Sequence, residues 1–136
     1  MSRNKEGFTL IELMVVVVII GILVAIAIPN FVRIVTQAKE AEVRANMHTT
    51  QLEVEMYGVE HNGMYPPTVD SIMDMFPENI INPFNLSAAF VQDEGEADIE
   101  GVVEYATSAP YDQYLITGLG RGPTLLNITL SAGLIK

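Results

Sequence analysis

A single carboxylate stands at the head of an apolar run long enough to cross a membrane. From Leu13 to Ile28 every residue is apolar or glycine; Pro29 follows, and Phe8-Thr9-Leu10-Ile11-Glu12 precedes. A bilayer core takes about 20 apolar helical residues, so a helix that starts near Phe8 spans it. A carboxylate at such a place costs free energy and calls for a role. Two plain readings leave Glu12 unexplained. In a secretory signal, Arg3 and Lys5 form the basic end and Ala25-Ile26-Ala27 offers a cleavage site, but an acid then heads the apolar region. In a permanent N-terminal anchor the two cations stay inside, and Glu12 again has no function.

The residues around Glu12 supply a third reading. Lys5-Glu6-Gly7-Phe8-Thr9-Leu10-Ile11-Glu12 combines a short basic leader, a glycine, an aromatic residue, a glutamate four positions later and the apolar run. This resembles the class III leader junction of bacterial type IV pilins and type II secretion pseudopilins. The likeness holds from Lys5 to about Ala41. It returns at Asn62-Gly63-Met64-Tyr65-Pro66, where related subunits often carry an N-G-x-Y-P turn. The resemblance implies that a prepilin peptidase cuts between Gly7 and Phe8 and methylates the new Phe8 amine. Glu12 then lies about 6 Å along the helix from that amine. In copies stacked with a small axial shift, the amine of one meets Glu12 of the next. Such a pair at about 4 Å is worth roughly 4 kcal/mol at an effective dielectric of 20, before desolvation takes part of it back.

Composition bounds the remainder. The 136 residues leave room for one small domain beyond the apolar run. There is no cysteine, so the disulfide that closes the C-terminal region of many pilins is excluded. Packing and filament neighbours must hold this domain instead. The net charge is −10, and the acidity lies mostly beyond the apolar run. Binding to nucleic-acid phosphates relies on Lys and Arg, so direct nucleic-acid binding by this subunit is not expected.

Gly21 and Pro29 are candidate helix-break positions, with Ile22–Ile28 between them able to bend or melt. The resemblance sharpens this, because pilin helices are often unwound here inside the filament. From Asn30 to about His61 the pattern is helical with two apolar stripes. Ile34, Ala38, Ala41, Ala45, His48, Leu52, Met56 and Val59 form one; Val43, Met47, Thr50, Val54 and Tyr57 form the other. The Ala-rich stripe is assigned to the chain's own sheet and the second stripe to other subunits, with the reverse left open. Glu40 and Arg44 stand in the favourable i,i+4 order. Asn62-Gly63 stops the helix. A short helix over 69–76 is capped by Thr68, and strands are expected over 88–92, 102–107, 113–118 and 124–130. The expected fold is α+β: a long N-terminal helix packed on a small antiparallel sheet of three to four strands, pilin-like. Its divisions are a cleaved leader (1–7), a transmembrane and filament-core half-helix (8–29), an amphipathic half-helix (30–62) and a globular region (63–136).

Other motifs carry less chemistry. Asp93, Glu94, Glu96 and Asp98 are weak candidates for a calcium site, since the ion takes six to eight oxygens. Their spacing does not match an EF-hand, and a solvated acidic turn is the plainer reading. Resembling pseudopilins carry calcium in their C-terminal region, but that motif is not clear in this chain. Gly118-Leu119-Gly120-Arg121-Gly122-Pro123 lacks P-loop spacing and reads as a turn. His48 reads as a hydrogen-bonded core histidine, and His61 sits at a helix end, where a cation is favoured. Asn85-Leu86-Ser87 and Asn127-Ile128-Thr129 match the N-glycosylation pattern, which is common by chance.

The sequence therefore points to a structural subunit, with no enzyme activity, catalytic residue or cofactor expected. The resemblance implies a homopolymer with an inner-membrane pool, exported as a pilus or a periplasmic pseudopilus. Its implied partners are a prepilin peptidase, an inner-membrane platform protein, a cytoplasmic assembly ATPase and, in double-membraned cells, a secretin. The alternatives are a type II secretion pseudopilin, a minor or competence pilin and, from another class, a monomeric membrane-anchored binding domain.

Overall fold

The computed structural model describes residues 7–132; the leader cations Arg3 and Lys5 lie outside the described residues. The elements in chain order are helix α1 (Leu10–Glu60), a short 3-10 helix (Val69–Met75), and strands β1 (Val91–Asp93), β2 (Val103–Thr107), β3 (Tyr114–Gly118) and β4 (Leu130–Ser131). The chain divides into two units between Val35 and Thr36.

In the first unit every described residue from Gly7 to Val35 is exposed, and α1 includes a segment long and apolar enough to cross a membrane. In the single chain α1 runs on through Gly21 and Pro29. Pro29 removes one backbone donor, but the turns on either side keep theirs. Helix propagation, once nucleated, carries across such a gap.

The second unit has a four-stranded sheet in the order β1-β2-β3-β4. The fold is α+β, but the sheet is mixed. β1 runs parallel to β2, with Val91 opposite Val103; β2–β3 and β3–β4 are antiparallel. Parallel neighbours usually need a crossover of a dozen residues or more. Here β1 has three residues, a rise of only about 10 Å at 3.3 Å per residue. The segment 94–102 is long enough to return over that distance, so the acidic run is a crossover rather than a hairpin loop. β4 is shorter and later than the strand expected over 124–130, and an isolated bridge joins Leu119 to Leu125 before it.

The core reverses the stripe assignment. Val43, Met47 and Val54 of α1 are fully buried against Val103, Tyr105 and Ile116 of the sheet. The Ala-rich stripe faces away, leaving Leu52, Met56 and Val59 exposed. His48 is exposed too, which overturns its core reading. The sheet-facing side also carries polar groups, each suited to its surroundings. The Asn46 side-chain amide donates to the Ile81 carbonyl at 3.0 Å, and the Thr50 hydroxyl donates to the Asn46 carbonyl at 2.9 Å. Gly118 allows close approach of helix and sheet, because a Cβ there would lie 2.7 Å from Met47 Sδ.

The end of α1 explains the N-G-x-Y-P turn. Asn62 and Gly63 take positive φ values of 58° and 85°, and Gly63 N–H donates to the Gly58 carbonyl at 2.7 Å, closing the helix in the glycine-dependent manner. The chain then lays the Tyr65 ring over Gly58, where a Cβ would meet the ring at 3.0 Å. Tyr65 packs edge-on against Tyr114 with centroids 4.7 Å apart. The Tyr114 hydroxyl donates to Glu55 Oε1 at 2.6 Å and accepts from the Gln51 amide at 3.2 Å. The Tyr105 hydroxyl donates to the Pro66 carbonyl at 2.7 Å. Together these tie helix, turn and sheet in a chain without disulfides. Burial, followed by the hydrogen bond to Glu55, pushes the Tyr114 hydroxyl well above the ordinary tyrosine range. Tyr114→Phe is expected to destabilise the fold by about 1–3 kcal/mol, since it leaves the half-buried Glu55 without its closest donor. Thermal unfolding of the full chain in detergent measures the loss.

Candidate processing and assembly site

Gly7, Phe8 and Thr9 are non-helical and exposed, and the first helical residue is Leu10. The Gly7–Phe8 bond therefore lies in non-helical chain just before α1. Glu12 occupies the third helical position, and its carboxylate turns back on the start of the helix. Glu12 Oε2 accepts from Thr9 N–H at 2.9 Å and from the Thr9 hydroxyl at 2.7 Å. Glu12 N–H donates in return to Thr9 Oγ1 at 3.3 Å. This reciprocal pattern is a capping box, which satisfies amides that a helix start leaves unpaired. Its sequence signal, Thr9-x-x-Glu12, is readable in the chain, but treating Glu12 as an orphan charge passes over it. A carboxylate near a helix N-terminus is also favoured by the helix dipole. Phe8, 75% exposed, borders a shallow apolar hollow with Ile11, Glu12, Val15 and Val16.

The structure brings Thr9 and Glu12 together; Gly21 and Pro29 lie within α1, away from this site in sequence. The weak metal candidates do not converge. Asp93, at the end of β1, accepts from Val69 N–H at 2.9 Å, doing for the 3-10 helix what the Thr68 side chain does not. Glu94, Glu96 and Asp98 stand exposed along the crossover. Among the described residues no group of three His, Cys, Asp or Glu side chains is placed to hold a metal ion. His61 stacks on Tyr57 with ring centroids 3.7 Å apart. In the glycine-rich turn, Gly122 N–H donates to Glu100 Oε1 at 2.7 Å and Arg121 donates to Thr36 Oγ1 at 3.4 Å, which accounts for it as a folded turn.

Sequence comparison supplies the context for the capped N-terminus. The prokaryotic N-terminal methylation motif matches residues 2–28. This chain carries a prepilin-type methylation motif. Relatives bearing on it are pilins and pseudopilins. The type IV major pilin protein of Myxococcus xanthus is 60% identical over 45 residues, 33% of this chain and 20% of that protein. A type IV narrow pilus major component of Thermus thermophilus is 46% identical over 69 residues, 51% of this chain and 58% of that protein. A type II secretion system core protein G of Pseudomonas aeruginosa is 36% identical over 81 residues, 60% of this chain and 56% of that protein. The chain thus spans at most a little over half the length of these relatives. No solved structure matches it significantly.

Two outcomes test this local chemistry. Thr9→Val removes the hydroxyl of the capping box and is expected to weaken the first turn by about 1 kcal/mol, read as faster amide exchange over residues 10–13 in micelles. On the crossover side of the sheet, burial raises the Glu104 pKa, and the like charges of Asp98 and Glu94 add to it. Folded Glu104 therefore holds its proton to higher pH than unfolded Glu104. Its charge penalises the fold at neutral pH, and the penalty lifts as pH falls through the folded pKa. Glu104→Gln is expected to raise Tm at pH 7, with the advantage shrinking towards pH 4.

Proposed function

We propose that the chain is a structural subunit of a type IV pilus filament, made as a membrane-inserted precursor and polymerised through the N-terminal half of α1. The observation that carries this reading is the pairing of a methylation motif over residues 2–28 with an apolar helical segment exposed throughout its described length. Such a segment needs lipid or neighbouring copies around it. Prepilin peptidase cuts the exposed, non-helical Gly7–Phe8 bond and methylates the Phe8 amine. Glu12 then exchanges its Thr9 bonds for the Phe8 amine of a neighbouring copy, and this pairing selects the register. The Gly21–Pro29 interval is the segment that yields when helices pack. Subunits wait in the inner membrane, and a platform protein and an assembly ATPase move them into the filament, which leaves through a secretin where there is an outer membrane.

A pseudopilin of type II secretion is the second reading, favoured by the match to core protein G, which extends over 81 residues. Electron microscopy of sheared surface fractions separates long pili from short periplasmic filaments. Mass spectrometry of the mature chain is expected to find methylated Phe8 at the N-terminus; an intact Met1 or a start after Ala27 rejects the polymer reading in favour of an anchored monomer. Glu12→Ala is expected to accumulate in the membrane and lose most filament yield, measured by immunoblot of sheared fractions.

A further inference from the structure

The turn that closes α1 also sets two mutually reactive groups side by side. Of the eight asparagines in the chain, Asn62 is the one that glycine follows; the others precede Lys, Phe, Met, Ile, Pro or Leu. An asparagine carboxamide is open to attack by the backbone nitrogen of the next residue, and glycine there has no side chain to hinder the approach. Asn62 and Gly63 are exposed, and a Cβ built on Gly63 would meet no atom within 4 Å. The Asn62 side chain has no hydrogen bond among the described residues. Two features hold the attack off. The Gly63 N–H donates to the Gly58 carbonyl at 2.7 Å, so the nitrogen that would have to lose this proton keeps it at the helix end. The same cap fixes Asn62 in the left-handed region, at φ 58°. Tyr65 holds the cap down. Its ring lies over Gly58, and its N–H donates to the Tyr111 carbonyl at 2.8 Å.

We infer that Asn62 is a site of spontaneous deamidation, gated by opening of the helix cap. When the Gly63–Gly58 bond breaks, the Gly63 amide gives its proton to base and its nitrogen bonds to Asn62 Cγ. The Cγ–Nδ2 bond breaks, ammonia leaves with a proton from solvent, and a cyclic succinimide remains. Water then opens either carbonyl of the ring. One opening gives aspartate; the other gives isoaspartate, with the main chain rerouted through Cβ and Cγ. Water is the only co-reactant. The product damages the turn that produced it. A new carboxylate stands two residues beyond Glu60, at a helix end whose final turn holds no basic residue and where the dipole disfavours negative charge. Isoaspartate also adds a carbon to the backbone before Gly63, so the cap and Tyr65 no longer meet their partners together. Helix, turn and sheet are tied here without a disulfide. The reaction is therefore a one-way loosening of the soluble unit. It stands apart from the polymer reading, since it follows from the single chain.

Incubation of the full chain in detergent and heavy-oxygen water, at mildly alkaline pH, tests the inference by peptide mapping. Label is expected at residue 62 ahead of every other asparagine, as a mixture of aspartate and isoaspartate, and faster as pH rises. The urea-unfolded chain is expected to take up label about tenfold faster or more, a factor set by how rarely the cap opens. Tyr65→Ala is expected to move the folded rate towards the unfolded one. The unaltered chain is expected to lose Tm as label accumulates, while Asn62→Gly, which tolerates the positive φ, holds its own. An unfolded chain without label at residue 62 overturns the site. Equal rates in folded and unfolded chains overturn the gate, and an undiminished Tm in the labelled chain overturns the loosening. Should Tyr65→Ala fail to fold, hydrogen exchange of the Gly63 amide in the unaltered chain takes its place. Protection there supports the gate; exchange as fast as in the unfolded chain overturns it.

Discussion

An apolar helical surface with no cover from its own chain governs the rest of this molecule. Gly7–Val35 is exposed at every described residue, so this segment is stable only in lipid or among other apolar helices. That requirement accounts for the architecture on either side. The start of the helix must be closed without relying on water, which Thr9 and Glu12 do for each other. Beyond Val35 the same helix must become the spine of a water-soluble unit. It does so by turning Val43, Met47 and Val54 onto a sheet.

The soluble unit is small and is held without covalent cross-links. Its most connected region joins three sequence-distant pieces: Glu55 and Gln51 on the helix, Tyr65 and Pro66 in the following turn, and Tyr105 and Tyr114 on adjacent strands. Gly58 makes this possible by leaving room for the Tyr65 ring. A second node, Asn82, is fully buried and uses both ends of its amide. It donates to the carbonyls of Ala89 and Glu100 and accepts from the amides of Phe84 and Asn85. Buried polar groups satisfied this completely fix an irregular loop in one conformation.

Much of this was legible in the sequence, and the gaps have physical causes. The long helix, its stop at Asn62-Gly63, and strands β2 and β3 follow from periodicity, turn chemistry and β-branched content. The Ala-rich stripe of α1 suggests close approach to the sheet, because its residues are small, but the stripe of Val43, Met47, Thr50 and Val54 is the one that turns inward. The sheet takes the second face because Val43, Met47 and Val54 fill more volume, while Asn46 and Thr50 find partners locally. The parallel β1–β2 pair was hidden because strands of three residues permit a return path as short as a loop. At the candidate site, Gly7, Phe8 and Glu12 stood out at once. Thr9, their structural complement, did not, since the charge at the head of an apolar run draws attention away from a capping box.

The capping box changes what the Glu12 charge is worth. A carboxylate stranded in hydrocarbon would bind any amine with nearly the whole Coulombic gain. Here it already holds two short hydrogen bonds, and taking it away frees the Thr9 amide. In the proposed filament, pairing Glu12 with another chain is thus an exchange between two satisfied states, and only their difference drives it. Exchanges of that kind are shallow and reversible.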